Sequence, residues 1–161
     1  YDHFYSEGVR QALHALRNTS GFKLVERSDT YAADYERSAF CAAPLGEGWG
    51  IRIVWAVAHG CIPVLFQSEV HDFWDGLLDT SAFAIRVAKH EIPHLATILG
   101  AITPARRRQL RSALHQHHRL FLWEQPYGLA HELTMLALCQ RAARLPAARA
   151  SLRCAAAGLP S

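Results

Sequence analysis

The sequence predicts an α/β fold, a parallel β-sheet flanked by helices in three layers, with about four strands. Three observations carry this. Residues 39–66 (AFCAAPLGEGWGIRIVWAVAHGCIPVLF) read as a short buried strand over 40–43, a glycine-bearing turn over 44–50, a helix over 51–59 stopped by Gly60, and a second buried strand over 62–66. Strand, helix and strand in that succession form a βαβ unit, and such a crossover joins parallel strands. Further on, 83–87 reads as another apolar strand, and helices with apolar residues at helical spacing follow it. Half of the 161 residues are hydrophobic, enough to build one domain with a sizeable core.

Taken in order, Val9, Leu13 and Leu16 recur at helical spacing behind Ser6 as a cap, which predicts a helix over 7–17. Asn18-Thr19-Ser20 ends it, and this triplet has the form of an N-glycosylation acceptor, a form that also arises by chance. Apolar and charged residues alternate over 22–26, predicting a short strand. Asp29 or Thr30 then caps a helix over 31–37. The central helix carries Ile51, Ile53, Val54, Ala56, Val57 and Ala58, so it is expected to be buried on nearly every side, with only its N-terminus available. Asp79-Thr80-Ser81 turns the chain into the 83–87 strand. Pro93 is placed at the first position of a helix bearing Leu95, Ile98, Leu99 and Ile102. Thr103-Pro104 starts another helix, running to Phe121 with Leu110, Leu114 and Phe121 inward. After Pro126-Tyr127-Gly128, Leu129, Leu133, Leu136 and Leu145 mark a last helix, and 153–161 reads as a loose, Ala-rich tail.

Several candidate sites follow. Gly46, Gly48 and Gly50 let a backbone approach an anion closely, the Ile51 amide opens the helix, and Arg52 adds a charge-assisted donor. The turn is either a phosphate cradle or a structural turn. Trp49 reads as a core plug, the alternative being a stacking surface. The loop after 62–66 leaves from the same sheet edge, so Ser68, Glu69 and His71 can face the same cleft, with Phe73, Trp74, Leu77 and Leu78 packing the loop down; His71 reads as a surface residue. Cys41, Cys61, Cys139 and Cys154 lack metal-ligand spacing, and Cys41 and Cys61 read as small apolar core residues rather than disulfide partners. The run from Arg106 to Arg119, with His115, His117 and His118, reads as a solvated basic face without interleaved aromatics rather than a nucleic-acid surface or a metal site. The net charge of +3 is too small to argue for a nucleic-acid partner, and no apolar run reaches the ~20 residues that cross a bilayer.

Phe40-Cys41, the turn from Gly48 to Arg52, His59-Gly60-Cys61-Ile62-Pro63-Val64, Leu77-Leu78-Asp79-Thr80-Ser81-Ala82-Phe83-Ala84-Ile85-Arg86-Val87 and Glu91-Ile92-Pro93 occur in one order, followed by the Leu-rich and His/Arg-rich helices. Together, over residues 28–123, they resemble the exostosin family of glycosyltransferases, closest to its divergent green-algal members. The resemblance implies a Rossmann-like C-terminal, donor-binding lobe of a two-lobed GT-B enzyme. It implies inverting transfer of a sugar from a nucleotide-diphosphate donor, a UDP- or GDP-sugar, to a glycan or cell-wall polysaccharide acceptor, with no tightly bound cofactor, no metal and no nucleic acid. It divides the chain into a first helix and strand (1–27), the donor-binding core (28–123) and a C-terminal helix and tail (124–161). It further implies a lumenal position at the Golgi membrane. A chain that begins at Tyr1 and has room for one lobe reads as a fragment, inactive by itself, whose other lobe and anchor lie upstream. The donor site implied is Gly48, Gly50, Ile51, Arg52, Trp55, Ser68 and Glu69, with Glu69 as the sugar contact and no catalytic base assigned. Trp55 stands where the family pattern has an acid three positions after the arginine. An indole cannot accept from two ribose hydroxyls as a carboxylate does, so a non-catalytic sugar-nucleotide or glycan-binding lobe stays open as the alternative.

Overall fold

The computed structural model describes residues 5–46, 50–66, 74, 76–144 and 154; Gly48, Trp49, Ser68, Glu69, His71, Phe73 and Leu145 lie outside the described residues. Strands β1 (Phe40–Ala42), β2 (Ile62–Leu65) and β3 (Ile85–Arg86) are accompanied by helices α1 (Val9–His14) and α2 (Tyr31–Arg37) before β1, α3 (Arg52–Ala58) between β1 and β2, and α4 (Leu95–Gly100), α5 (Pro104–His117) and α6 (Ala130–Ala143) after β3. The sheet runs β1-β2-β3 and both pairings are parallel, Phe40 opposite Ile62 and Val64 opposite Ile85. β2 is the middle strand and is buried throughout, as a strand covered on both faces must be.

Pro63 sits in that middle strand, where a missing N–H ordinarily breaks a ladder. Ile62 and Val64 exchange hydrogen bonds with the β1 side (Ile62 N to the Ala39 carbonyl at 3.3 Å, Ala43 N to the Val64 carbonyl at 2.9 Å), so the Pro63 nitrogen faces β3. There the pairing opens only at Val64 opposite Ile85. The proline is tolerated because β3 begins one residue beyond it.

Period-two alternation sorts the sheet's side chains into two cores. Ala43 and Leu65 join Ile53 and Val57 of α3, Leu114 of α5, Phe121 beyond it and Leu133 of α6 on one face. Val64, Phe66 and Val87 join Val9 and Leu13 of α1, Ile92 and, from α4, Leu95 on the other. Tyr35 of α2 closes the β1 end over Ala56, Cys41 and Cys61.

The stop at Gly60 and the start at Thr103-Pro104 are as the sequence predicts. Gly60 takes φ +69, and the Cys61 amide bonds back to the Ala56 carbonyl at 2.9 Å, a left-handed helix ending that glycine permits without strain. Thr103 Oγ1 accepts from the Arg106 amide at 3.1 Å and Pro104 opens α5.

Other expectations need correction. The described residues hold three strands, because 22–26 forms none: Val25 is 56% exposed, and Lys23 reaches across to Asp34 at the start of α2 instead of entering a ladder. The first helix is shorter than 7–17, since left-handed backbone at Ser6, Glu7 and Gly8 delays α1 to Val9. Pro93 does not open a helix. Glu91 Oε2 accepts from the Ala88 amide at 2.8 Å and starts a 3₁₀ segment, Lys89–His94, that contains Pro93, and regular α-helix follows at Leu95. α3 is not buried all round: Ile51 is 62% and Trp55 37% exposed, one turn apart on a single face.

The cysteines are disulfide-bonded rather than free: Cys41–Cys61 at 2.03 Å and Cys139–Cys154 at 2.02 Å. The first pairing follows from register. Cys41 lies opposite Pro63, so Cys61, two residues earlier along the neighbouring strand's run, shares its face. The second ties Cys154, expected in a loose tail, to α6. Among the described residues no helix is long and apolar enough to cross a membrane.

Candidate donor site

In a parallel α/β sheet ligands bind beyond the carboxyl ends of the strands. Here that edge is formed by Pro44, Leu45 and Gly46 leaving β1, by Gly50 and Ile51 entering α3, by Phe66 after β2 and by Val87 to Lys89 after β3. Gly50 is needed by the turn itself: a Cβ there would stand 3.1 Å from the Pro44 carbonyl oxygen and 3.6 Å from Leu45 Cα. The turn therefore folds back on its own start. Ile51 caps α3, accepting from the Trp55 amide at 3.1 Å.

Arg52 leans toward α2. Its guanidinium lies 5.4 Å from the centroid of the Tyr31 ring, a cation–π contact. Trp55 meets the same ring edge-on at 5.4 Å and stacks flat on His59, 5.2 Å away with 3° between planes. Tyr31 pairs with Trp55 and Tyr35 with His59, so α2 and α3 run parallel and their N-terminal ends share the carboxyl edge. Burial, and then a hydrogen bond with the Tyr31 hydroxyl at 3.0 Å, push the Tyr35 phenol up to about 12. At the far end of α3, His59 Nδ1 lies 3.3 Å from Glu36.

Two further cations reach this edge that the sequence reading did not single out. Arg10 Nε donates to the Leu45 carbonyl at 3.2 Å, tying α1 to the glycine turn. Lys89, just after β3, lies over Gly8, its Nζ 3.4 Å from where a Cβ would stand. With Arg52, the edge thus gathers positive charge from α1, α3 and the segment after β3, suited to an anionic group. No local pattern marks Arg10 or Lys89; only the tertiary fold brings them to this edge. Of the residues expected at the site, Gly50, Ile51, Arg52 and Trp55 lie together there, while Gly48, Ser68 and Glu69 fall outside the described residues.

The basic run on α5 is elsewhere. Arg106, Arg108 and Arg111 are exposed, Arg107 lies over the Phe40 ring at 5.5 Å, and His117 and His118 donate to the Ala113 and Ala58 carbonyls at 2.7 and 3.3 Å. His118 thus ties the end of α5 to α3, and His117 bonds back within α5. Trp74 is packed inward, donating to Thr134 Oγ1 at 3.1 Å and meeting Phe121 edge-on.

Comparison with known proteins places this arrangement in a family. Over 102 residues the chain is 32% identical to a probable glucuronosyltransferase, GUT1, of Oryza sativa subsp. japonica, covering 62% of this chain and 24% of that protein. Over 128 residues it is 31% identical to a probable β-1,4-xylosyltransferase, IRX10, of Arabidopsis thaliana, covering 76% of this chain and 31% of that protein. The chain spans about a quarter to a third of the length of these curated relatives. The family model described as the Exostosin GT47 domain matches residues 5–102, a stretch that takes in α1, the whole βαβ unit with its glycine turn, β3 and α4. A match that spans the sheet and every element lining its carboxyl edge leaves one assignment: the chain belongs to the exostosin GT47 family.

Proposed function

We propose that the chain is the donor-binding lobe of a GT-B glycosyltransferase, with its core over residues 28–123. It binds a nucleotide-diphosphate sugar at the carboxyl edge of the sheet and serves transfer of the sugar, with inversion, to a hydroxyl of a glycan or cell-wall polysaccharide. The observation that carries this reading is the coincidence of the family match with a parallel βαβ unit whose carboxyl edge holds a glycine turn tied to Arg10, with Arg52 opening α3 and Lys89 following β3. Inverting transfer needs positive charge on the departing diphosphate and a base for the acceptor hydroxyl. The cations supply the first. The base comes from the facing lobe of the whole protein, so this lobe alone binds donor without transferring it. The names of the relatives, a glucuronosyl- and a xylosyltransferase, support transfer of a sugar; a UDP- or GDP-linked donor is part of the proposal. A lumenal position at the Golgi membrane is supported by the two disulfides, which persist in oxidising compartments.

Calorimetric titration of the folded chain with UDP and with GDP tests the proposal. Saturable binding of one nucleotide, weakened about tenfold or more in Arg52→Ala, is the expected result, equivalent to ~1.4 kcal/mol. Binding of neither nucleotide refutes a working donor lobe.

Trp55 favours a second reading, a lobe that binds sugar nucleotide or glycan without catalysis. The indole occupies the place of the expected acid and is engaged by His59 and Tyr31. A large gain in nucleotide affinity in Trp55→Glu marks this second reading; no gain leaves the first.

A further inference from the structure

Asn18, Thr19 and Ser20 form a triplet that the proposed transfer chemistry does not use. The triplet lies in the turn that follows α1, where the Thr19 amide bonds to the Leu16 carbonyl at 2.9 Å and Gly21 takes φ +83 to reverse the chain. Asn18 and Ser20 are both exposed, and neither side chain hydrogen-bonds to another described residue. The acceptor amide and the hydroxyl two residues on are thus presented to solvent on a short turn, the setting a bulky surface glycan requires. The same chain carries two disulfides and no free cysteine among its described residues, the cysteine usage of a protein that has passed through an oxidising lumen.

We propose that Asn18 is an N-linked glycosylation site, which rests on the lumenal position proposed above. In the reaction, the Asn18 side-chain nitrogen attacks the anomeric carbon of a polyprenyl-diphosphate-linked oligosaccharide. A nitrogen–carbon bond forms, the carbon–oxygen bond to the diphosphate breaks, the polyprenyl diphosphate leaves with the electron pair, and one amide proton passes to base. The placement of the glycan is also set by the fold. The start of α1 is at the sheet's carboxyl edge, with Gly8 beside Lys89 and Arg10 on Leu45, so the turn at Asn18 lies past the opposite end of that helix. A glycan there leaves the candidate donor site open, and nucleotide affinity is the same before and after its removal.

The test is made on the tagged protein recovered from its own cells, by peptide N-glycosidase F treatment and peptide mass spectrometry, with thiol counting on the same sample. The expected result is a band that shifts on treatment, Asn18 converted to Asp, and loss of the shift in Asn18→Gln and in Ser20→Ala but not in Ser20→Thr. All these changes are at exposed positions and leave the fold intact. Formed disulfides with an unmodified Asn18 overturn the proposal and leave the lumenal reading standing. Free thiols with an unmodified Asn18 overturn both.

Discussion

Replacing Cys41 and Cys61 together with alanine opens the covalent loop that encloses the glycine turn and α3. The two cysteines are 20 residues apart, and the chain-entropy relation for a loop of that length gives about 11 cal/mol/K of lost unfolded-state freedom, or ~3 kcal/mol at 25 °C. Both side chains are buried, 7% and 0% exposed, so removing the sulfur atoms adds about 1 kcal/mol of lost packing. Substitution is preferable to a reductant, which would open Cys139–Cys154 as well. Urea unfolding followed by far-ultraviolet circular dichroism and tryptophan fluorescence measures the change. With a urea slope of about 2 kcal/mol/M, the midpoint falls by about 2 M. A change of less than ~1 kcal/mol at unchanged slope refutes the argument that this bridge constrains the unfolded chain.

Three other outcomes follow. Gly128→Ala places a Cβ 2.1 Å from the Leu122 carbonyl oxygen and 2.5 Å from its carbon, both backbone atoms, so a loss of about 3 kcal/mol or more is expected in a thermal melt, whereas Gly50→Ala, at 3.1 Å from Pro44, costs about 1 kcal/mol. Tyr35 is pushed up to about 12 from an ordinary 10.0, so its contribution to stability is complete below pH 10 and lost as pH rises through 12; ultraviolet titration of tyrosinate shows the late Tyr35 phenol, advanced by Tyr31→Phe. The Lys23 ammonium, followed by the Ser28 hydroxyl, holds the Asp34 carboxyl below its ordinary range, so Lys23→Ala raises the Asp34 titration seen by NMR, and the stability it confers is lost as pH falls through the folded-state value.

The βαβ unit and α5 were legible because their signals are local: apolar runs of strand length and a glycine in the left-handed ending at Gly60 for the first, a threonine cap before Pro104 for the second. The failures share a cause. The alternation over 22–26 is indistinguishable from a strand until a neighbour is found for it, and Lys23 finds Asp34 instead. The disulfide between Cys41 and Cys61 depends on the parallel register, which spacing along one chain does not reveal. α3 looks uniformly apolar, yet burial of Ile53, Ala56 and Val57 leaves Ile51 and Trp55 outward, where the Tyr31 and His59 rings flank Trp55. At the site, the glycine turn and Arg52 announce themselves, but Arg10 and Lys89 arrive from elements far apart in sequence. Charge gathered by folding leaves no local trace.

The central claim is that the carboxyl edge of this sheet holds a nucleotide diphosphate. It is tested most directly by titrating the isotopically labelled chain with UDP and GDP and following its backbone amide and indole NMR signals. The account predicts saturable shifts at Gly50, Ile51, Arg52 and the Trp55 indole for one nucleotide, with Asn18 to Gly21 unmoved. Shifts confined to the arginine-rich face of α5, or none at any site, contradict it.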